Sequence, residues 1–212
     1  MHISEGILSP PVLIAGGVVA AAGVAMGLRR IDDERIPRIA VLSSAFFVAS
    51  LIHVPVGPSN AHLVLNGMMG ILLGWAAFPA LLIALLLQAV LFGFGGLTTL
   101  GVNVTSMAVP AVLCSYAFGR GLRRRGPAVA FLCGFAAGCG AILLSAALVC
   151  AALMTTGREF LRVAELVGLA HIPIALVEGL ITGSLGAFLR KVKPELLEVD
   201  AAPAEAEESN DA

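Results

Sequence analysis

Charge is what this sequence has least of. Only 13% of its 212 residues are charged against 58% hydrophobic, and the mean hydropathy of +0.97 lies far outside the balance of water-soluble domains. The scarcity excludes a soluble globule, and the net charge of -1 excludes a global field directed at nucleic acid or an acidic partner. CxxC spacing is also missing. Cys114, Cys133, Cys139 and Cys150 stand singly in apolar runs, which reads as buried structural thiols and not as a metal cluster or disulfide framework. No GxxxxGKS or GxxxxGKT phosphate loop occurs, and GRGLRRRG is a basic turn without that spacing. Nor is there a basic stretch ahead of the first apolar run. Glu5 precedes that run and the arginines follow it, the reverse of a cleaved signal peptide. Met1 is therefore expected to be the mature first residue, with the bulky His2 hindering its removal.

What remains is apolar, and its lengths can be counted against a membrane. A spanning helix needs about 20 mostly apolar residues. Runs at about Leu8–Leu28, Pro37–Ile52, Thr105–Gly119, Pro127–Met154 and Ala164–Leu189 qualify as the first, second, fifth, sixth and seventh spans. Between the second and fifth lies one apolar block, 62–96, whose 35 residues would make a helix of about 52 Å, too long for one crossing of a core about 30 Å thick. Gly74 and Pro79 in its GWAAFPA stretch are breakers that divide it into two short helices joined by a tight turn. The fold expected is an all-α integral membrane protein, a compact bundle of seven transmembrane helices.

Basic residues test this count. Arg29, Arg30, Arg35 and Arg38 follow the first span, Arg120, Arg123, Arg124 and Arg125 the fifth, and Arg190, Lys191 and Lys193 the seventh. Seven spans put all three clusters on one side, which the positive-inside rule makes cytoplasmic. The N-terminus is then outside, the C-terminus inside, and only Arg158 and Arg162 lie on the outer face. The domain division expected is a membrane domain over 1–194 and, over 195–212, a disordered acidic cytoplasmic tail rich in Ala and Pro.

This topology collects the histidines. His2 sits at the outer terminus, His53 and His62 flank the loop between spans two and three, and His171 lies near the outer end of span seven. Any one histidine is more often a local hydrogen-bonding group, but four of four on one face of a membrane protein point to a shared site. A free α-amino group, the peptide nitrogen of residue two and the Nδ1 of a histidine at position two close a five-membered and a six-membered chelate ring around one metal. A fourth nitrogen from another histidine completes a square-planar set, which suits Ni(II), Cu(II) and low-spin Co(II) and fits tetrahedral Zn(II) poorly. The peptide nitrogen must lose its proton, so affinity falls in acid.

Further polar groups lie in or near the spans. GFGGLTTLGVN, ending at Asn103, has glycines that serve either a close backbone approach around a cavity or a plain turn. Asn66, Gln88 and Glu178 are intramembrane. Glu178 lies seven residues after His171 and so on the same helix face, as an interhelical hydrogen-bond partner or as a group supporting the site. Ala21 and Ala25 are small enough for a close helix contact, within the bundle or with a partner.

MHISEG, LIHVPVGPSNAHLVLNGMMGILLGWAAFPALLIALLLQAVLFGFGGLTTLGVN and HIPIALVEG together resemble the CbiM/NikM family, the substrate-binding S components of energy-coupling-factor transporters for cobalt and nickel. The resemblance covers nearly the whole chain except the acidic tail. It implies a non-catalytic protein of the bacterial or archaeal inner membrane that captures Co(II) or Ni(II), with no cofactor of its own. It implies metal ligation by the amino group of Met1, the amide and imidazole of His2, and the imidazole of His62. His53, Asn103 and His171 would then support the pocket. The partners it implies are a transmembrane coupling subunit, cytoplasmic ATPase subunits and a small two-span accessory subunit; cobalt and nickel are left undivided.

Two other classes bear weighing. A membrane metalloenzyme using the same histidines would need an open coordination position with a general acid or base beside it, and only Glu5 and Glu178 offer one, neither within a motif. A passive channel would need polar residues along several spans, whereas the inner halves are almost wholly apolar.

Overall fold

The computed structural model describes residues 2–51, 53–56, 59–62, 65–124 and 126–197, with the backbone alone for 53–56, 59–62 and 124. Seven α-helices occur in this range: α1 (Pro10–Leu28), α2 (Ile36–Ala49), α3 (Asn66–Leu73), α4 (Ala77–Phe92), α5 (Leu100–Arg124), α6 (Pro127–Thr156) and α7 (Leu161–Val192). Proline opens three of them, at Pro10, Pro37 and Pro127, where its missing N–H costs nothing. Five segments are long and apolar enough to cross a membrane: Pro10–Leu28, Asn66–Phe92, Leu100–Arg123, Pro127–Thr156 and Arg158–Val192. The sequence counted seven transmembrane helices; seven helices are present in the described residues, but five segments have the length and composition of a span, α3 and α4 together making one of them. With 14 residues, α2 reaches about 21 Å, and the 8-residue α3 about 12 Å.

The break expected in the 62–96 block is present. Gly74, at φ 54°, ends α3, and a 3-10 turn over Gly74–Ala76 leads into α4. The helix before it is short because it begins inside the bundle. Leu65, the residue ahead of it, takes a left-handed conformation, uncommon for a side chain of this size, and its backbone N–H donates to Glu178 Oε1 at 2.6 Å. One turn on, Gly67 lies directly against Gly138 of α6. Thus α3 starts at the mid-height of α6 and α7, and His62, which the sequence assigned to helix, lies in a strand.

The protein is all-helical in class as expected, with one short sheet added to the bundle. Strands β1 (His2–Ile3), β2 (His53–Val56) and β3 (Ser59–His62) form a small antiparallel sheet in the order β1, β3, β2. Backbone at this depth must be hydrogen-bonded within the protein, and pairing the N-terminal segment with a hairpin accomplishes that.

The two longest helices pack through glycine. Gly134 and Gly138 of α6 meet Gly183 and Gly179 of α7 in antiparallel register, and without side chains between them the backbones approach closely. Cys139 Sγ donates to Ala175 O across this pair, and all four cysteines are free. In α1 the buried face is Gly16, Ala20, Gly23 and Gly27, with Gly16 against Val102 of α5, while Ala21 and Ala25 are exposed on the opposite side. The elements sort by end. The sheet, the start of α1, the end of α4 and the start of α5 share one end; Arg29, Arg30, Trp75, Tyr116 and Arg38 share the other. At that second end a 3-10 turn over Pro194–Leu197 returns Leu197 to the core, and Arg38 donates to Leu196 O. The rest of the acidic tail, 198–212, lies outside the described residues.

A methyl group added at Gly138 would come within 2.6 Å of the Glu178 carbonyl oxygen, whereas one at Gly17 would meet nothing within 4 Å. Gly138→Ala should cost about 1–3 kcal/mol through overpacking, while Gly17→Ala should be neutral or stabilising by up to about 1 kcal/mol. Thermal unfolding of the two variants in detergent checks the difference.

Candidate metal centre

The N-terminal strand is held by a compact set of side chains at the start of α5. Asn103 Oδ1 accepts the Ile3 N–H at 2.9 Å, and Asn103 Nδ2 donates to the Ile3 carbonyl at 3.2 Å. Thr99 Oγ1 donates to the same carbonyl at 3.0 Å. Every partner in this set is buried, so each bond is protected from competition with water. Asn103 can serve both groups because its amide carries a donor and an acceptor side by side. The sequence placed it in a loop between spans; it stands instead in the first turn of α5, where the helix fixes its direction.

The loop from α4 to α5 closes over the same strand. The His2 ring is 2% exposed and stacks on Phe94, with centroids 6.4 Å apart and planes at 22°. Phe94 stacks on Phe92, which packs on Phe47, so the imidazole rests on an aromatic wall reaching back to α2. Gly95, at φ +76°, lies beside the His2 side chain, and Gly96 lies against Glu5 where a Cβ would overlap it. Both uses left open for these glycines occur: Gly93, at φ +67°, turns the chain at the end of α4 with nothing near it, while Gly95 and Gly96 lie close against other residues. Thr98 N–H donates to Glu5 Oε1 at 3.0 Å, and this bond holds the Glu5 carboxyl below its ordinary pKa.

Register then relates the histidines. His2 pairs with Asn60, and His53 pairs with His62. Directly opposed residues share a face, as do residues two apart on one strand. Positions 2, 53, 60 and 62 therefore belong to one face of the sheet, and positions 3, 54, 59 and 61 to the other. The structure brings His2, His53 and His62 together at this level of backbone position; the side chains of His53 and His62, and all of Met1, lie outside the described residues.

His171 is fully buried on α7, the helix against which β2 and β3 pack. Its Nδ1 lies 2.6 Å from Val167 O. A carbonyl only accepts, so Nδ1 carries the proton and Nε2 presents a lone pair. That Nε2 is buried with no hydrogen-bond partner among the described residues, the state of a nitrogen available to a metal or its surroundings. Glu178 has another occupation: it receives Leu65 N–H and fixes where α3 begins. Among the described residues no three His, Cys, Asp or Glu side chains form a metal cluster.

The residues that sequence reasoning missed are Thr99 and Phe94. Both fall inside the glycine-rich stretch already singled out, and the Thr98-Thr99 pair before an apolar run was a readable helix-start signal.

The fold has counterparts among known proteins. The fold matches the crystal structure of a truncated transition metal transporter with a TM-score of 0.71 and 27% identity, over 90% of this chain and 99% of that one. The class is therefore a multi-pass membrane component of metal transport. The chain belongs to the CbiM family, described as the cobalt uptake substrate-specific transmembrane region, which matches residues 2–196. A Haemophilus influenzae protein provisionally named as a metal transport protein is 46% identical over 202 residues, 93% of this chain and 97% of its own. The fused nickel transport protein NikMN of Rhodobacter capsulatus is 34% identical over 237 residues, which are 96% of this chain and 66% of the fused protein. The chain is a cobalt and nickel transport component of bacterial and archaeal membranes, a non-catalytic role.

Asn103→Ala should leave the Ile3 N–H without its acceptor and the Ile3 carbonyl with the Thr99 hydroxyl alone, a loss of about 1–3 kcal/mol. Thr99→Val, which removes one donor of two, should cost about 0.5–1.5 kcal/mol. Hydrogen exchange at the Ile3 amide checks this, with a rise of about tenfold or more expected for Asn103→Ala.

Proposed function

We propose that this chain is the substrate-capture component of an energy-coupling-factor importer and holds one Co(II) or Ni(II) in an outward-facing site of four nitrogens. The ligands are the α-amino group of Met1, the peptide nitrogen and imidazole of His2, and the imidazole of His62, with His53, Asn103 and His171 supporting them. The observation that carries this reading is the double grip of Asn103 on Ile3. It spends the main chain of residue three on a fixed partner, next to a His2 that shares a sheet face with positions 53 and 62.

The rest follows from what such a component lacks. Without a phosphate loop the chain draws energy from partners: a transmembrane coupling subunit, cytoplasmic ATPase subunits and a small accessory subunit. The fused architecture of the Rhodobacter capsulatus relative, of which this chain covers 66%, leaves room for that accessory part. The basic end carrying Arg29, Arg30, Arg35, Arg38, Arg120 and Arg123 is cytoplasmic by the positive-inside rule, which sets the N-terminal strand outside. Two polar groups within the spans bond to side chains of neighbouring elements: Asn66 Nδ2 donates to Ser145 Oγ at 2.9 Å and Gln88 to Ser50. Below them Met68, Ile71, Leu72, Leu122, Ala130 and Leu197 form an apolar cluster, which supports capture followed by reorientation over a passive pore.

Two measurements test the reading. One glycine added ahead of Met1 converts its amine to an amide and breaks the five-membered chelate while every side chain is kept. Metal bound per chain, read by mass spectrometry after loading, should fall to background, as it should in His62→Ala, and fall less in His171→Ala. An extended variant that retains one cobalt or nickel per chain at native affinity would remove the amine from the ligand set. For orientation, a cysteine beside His62 or Arg158 should react with an impermeant thiol reagent applied to intact cells, and one beside Arg124 should not. Labelling at Arg124 would invert the topology.

A further inference from the structure

At the end of the bundle opposite the N-terminal strand, a cavity of about 380 Å³ is lined by Gly74, Trp75, Ser115, Tyr116, Arg120 and Arg123. It is a built feature. The indole of Trp75 lies over Phe78, with centroids 5.7 Å apart and planes at 15°, and under the Arg30 guanidinium at 5.7 Å. Its single polar atom, Nε1, donates to Tyr116 Oη at 2.8 Å. Having accepted that bond, the Tyr116 hydroxyl still has its own proton to donate. Every polar group fixed at the rim is thus a donor or can act as one.

Among the described residues the ion pairs are Asp32 with Arg35 and Arg162 with Glu165, and none reaches Arg30, Arg120 or Arg123. Arg123 Nε is buried with no hydrogen-bond partner among those residues, a state that leaves a donor desolvated and uncompensated. Two guanidinium groups lining one cavity repel each other unless an anion sits between them. The anion whose several oxygens match two planar forks and a hydroxyl is a phosphate. A basic pocket between transmembrane helices, flanked by Trp and Tyr, has the composition of a phospholipid headgroup site.

We infer that this cavity binds a phosphate group, presented by an anionic phospholipid at the basic end of the bundle. Arg120 and Arg123 neutralise the phosphate, Tyr116 donates to it, and Trp75 forms the apolar wall beneath the glycerol. Bound there, the lipid bridges the α3 to α4 turn and the last turns of α5, two elements that otherwise meet at this level through the Trp75–Tyr116 bond.

Trp75 is the only tryptophan of the chain, so its fluorescence reports this cavity directly. The full-length protein in a nonionic detergent is titrated with dioleoyl phosphatidylglycerol, with dioleoyl phosphatidylcholine, or with inorganic phosphate. The expected result is a saturable change with phosphatidylglycerol and none with phosphatidylcholine over the same range. The midpoint should rise at least tenfold in the Arg120→Gln, Arg123→Gln double variant and stay unchanged in Arg158→Gln, Arg162→Gln, which removes two charges at the other end. If the double variant is not monodisperse on size exclusion, Arg120→Gln alone, at an exposed position, should raise the midpoint at least threefold. An equal, arginine-dependent response to inorganic phosphate would keep the phosphate site and make the free ion its source. No saturable change with either anion, an equal response to phosphatidylcholine, or a midpoint indifferent to the arginines would overturn the proposal.

Discussion

The carboxamide of Asn103 takes both the N–H and the C=O of Ile3, and most of what is particular to this protein depends on that pair. An N-terminal segment folded into the end of a helical bundle brings backbone groups to a depth where water cannot serve them. A segment this short satisfies only part of its main chain through β1. Asn103 and Thr99 supply the rest from α5, a helix whose direction is set independently by its packing on α1 and α6. Ile3 is thereby held by a rigid element and not by a loop, and His2 beside it shares that support.

A second constraint of the same kind shapes the middle of the bundle. The hairpin of β2 and β3 leads toward Leu65, and Glu178 receives the N–H where α3 starts. A carboxyl group within a span is expensive and is retained here because it closes a backbone accounting that an apolar residue could not. Glycine makes the arrangement sterically possible. Gly138 faces both Gly67 of α3 and the α7 backbone around Glu178 and Gly179, so three helices meet where a single side chain would separate them. The half-length α3 and the close α6–α7 pair are two results of one packing solution.

The two ends of the molecule then differ in chemistry. At one end a small sheet, an aromatic wall and three of the four histidines by backbone position converge. At the other, arginines gather around the sole tryptophan with no acidic partners among the described residues. Between them the apolar clusters below Asn66 and Glu178 separate the ends.

Much of this was legible in the residues themselves. Hydropathy and length placed α1, α5, α6 and α7 to within a few residues at most ends, because a membrane span is recognised by composition over about 20 positions and needs no knowledge of its neighbours. The breaker at Gly74 and the common side of the arginines were readable for the same local reason. The sheet was not. Residues 53–62 contain two prolines and a glycine in an apolar setting, and nothing local distinguishes a connecting loop from strands whose partner, His2–Ile3, lies some fifty residues away. Likewise Asn103 read as a loop residue and Glu178 as one of several possible helix partners, since a hydrogen-bond partner is defined by direction and distance and not by sequence spacing. Composition, span length and charge asymmetry are sums over local residues, and the sequence by itself determined them. Which backbone groups each buried polar side chain completes depends on how separate helices are placed in space, and only the tertiary structure decided that.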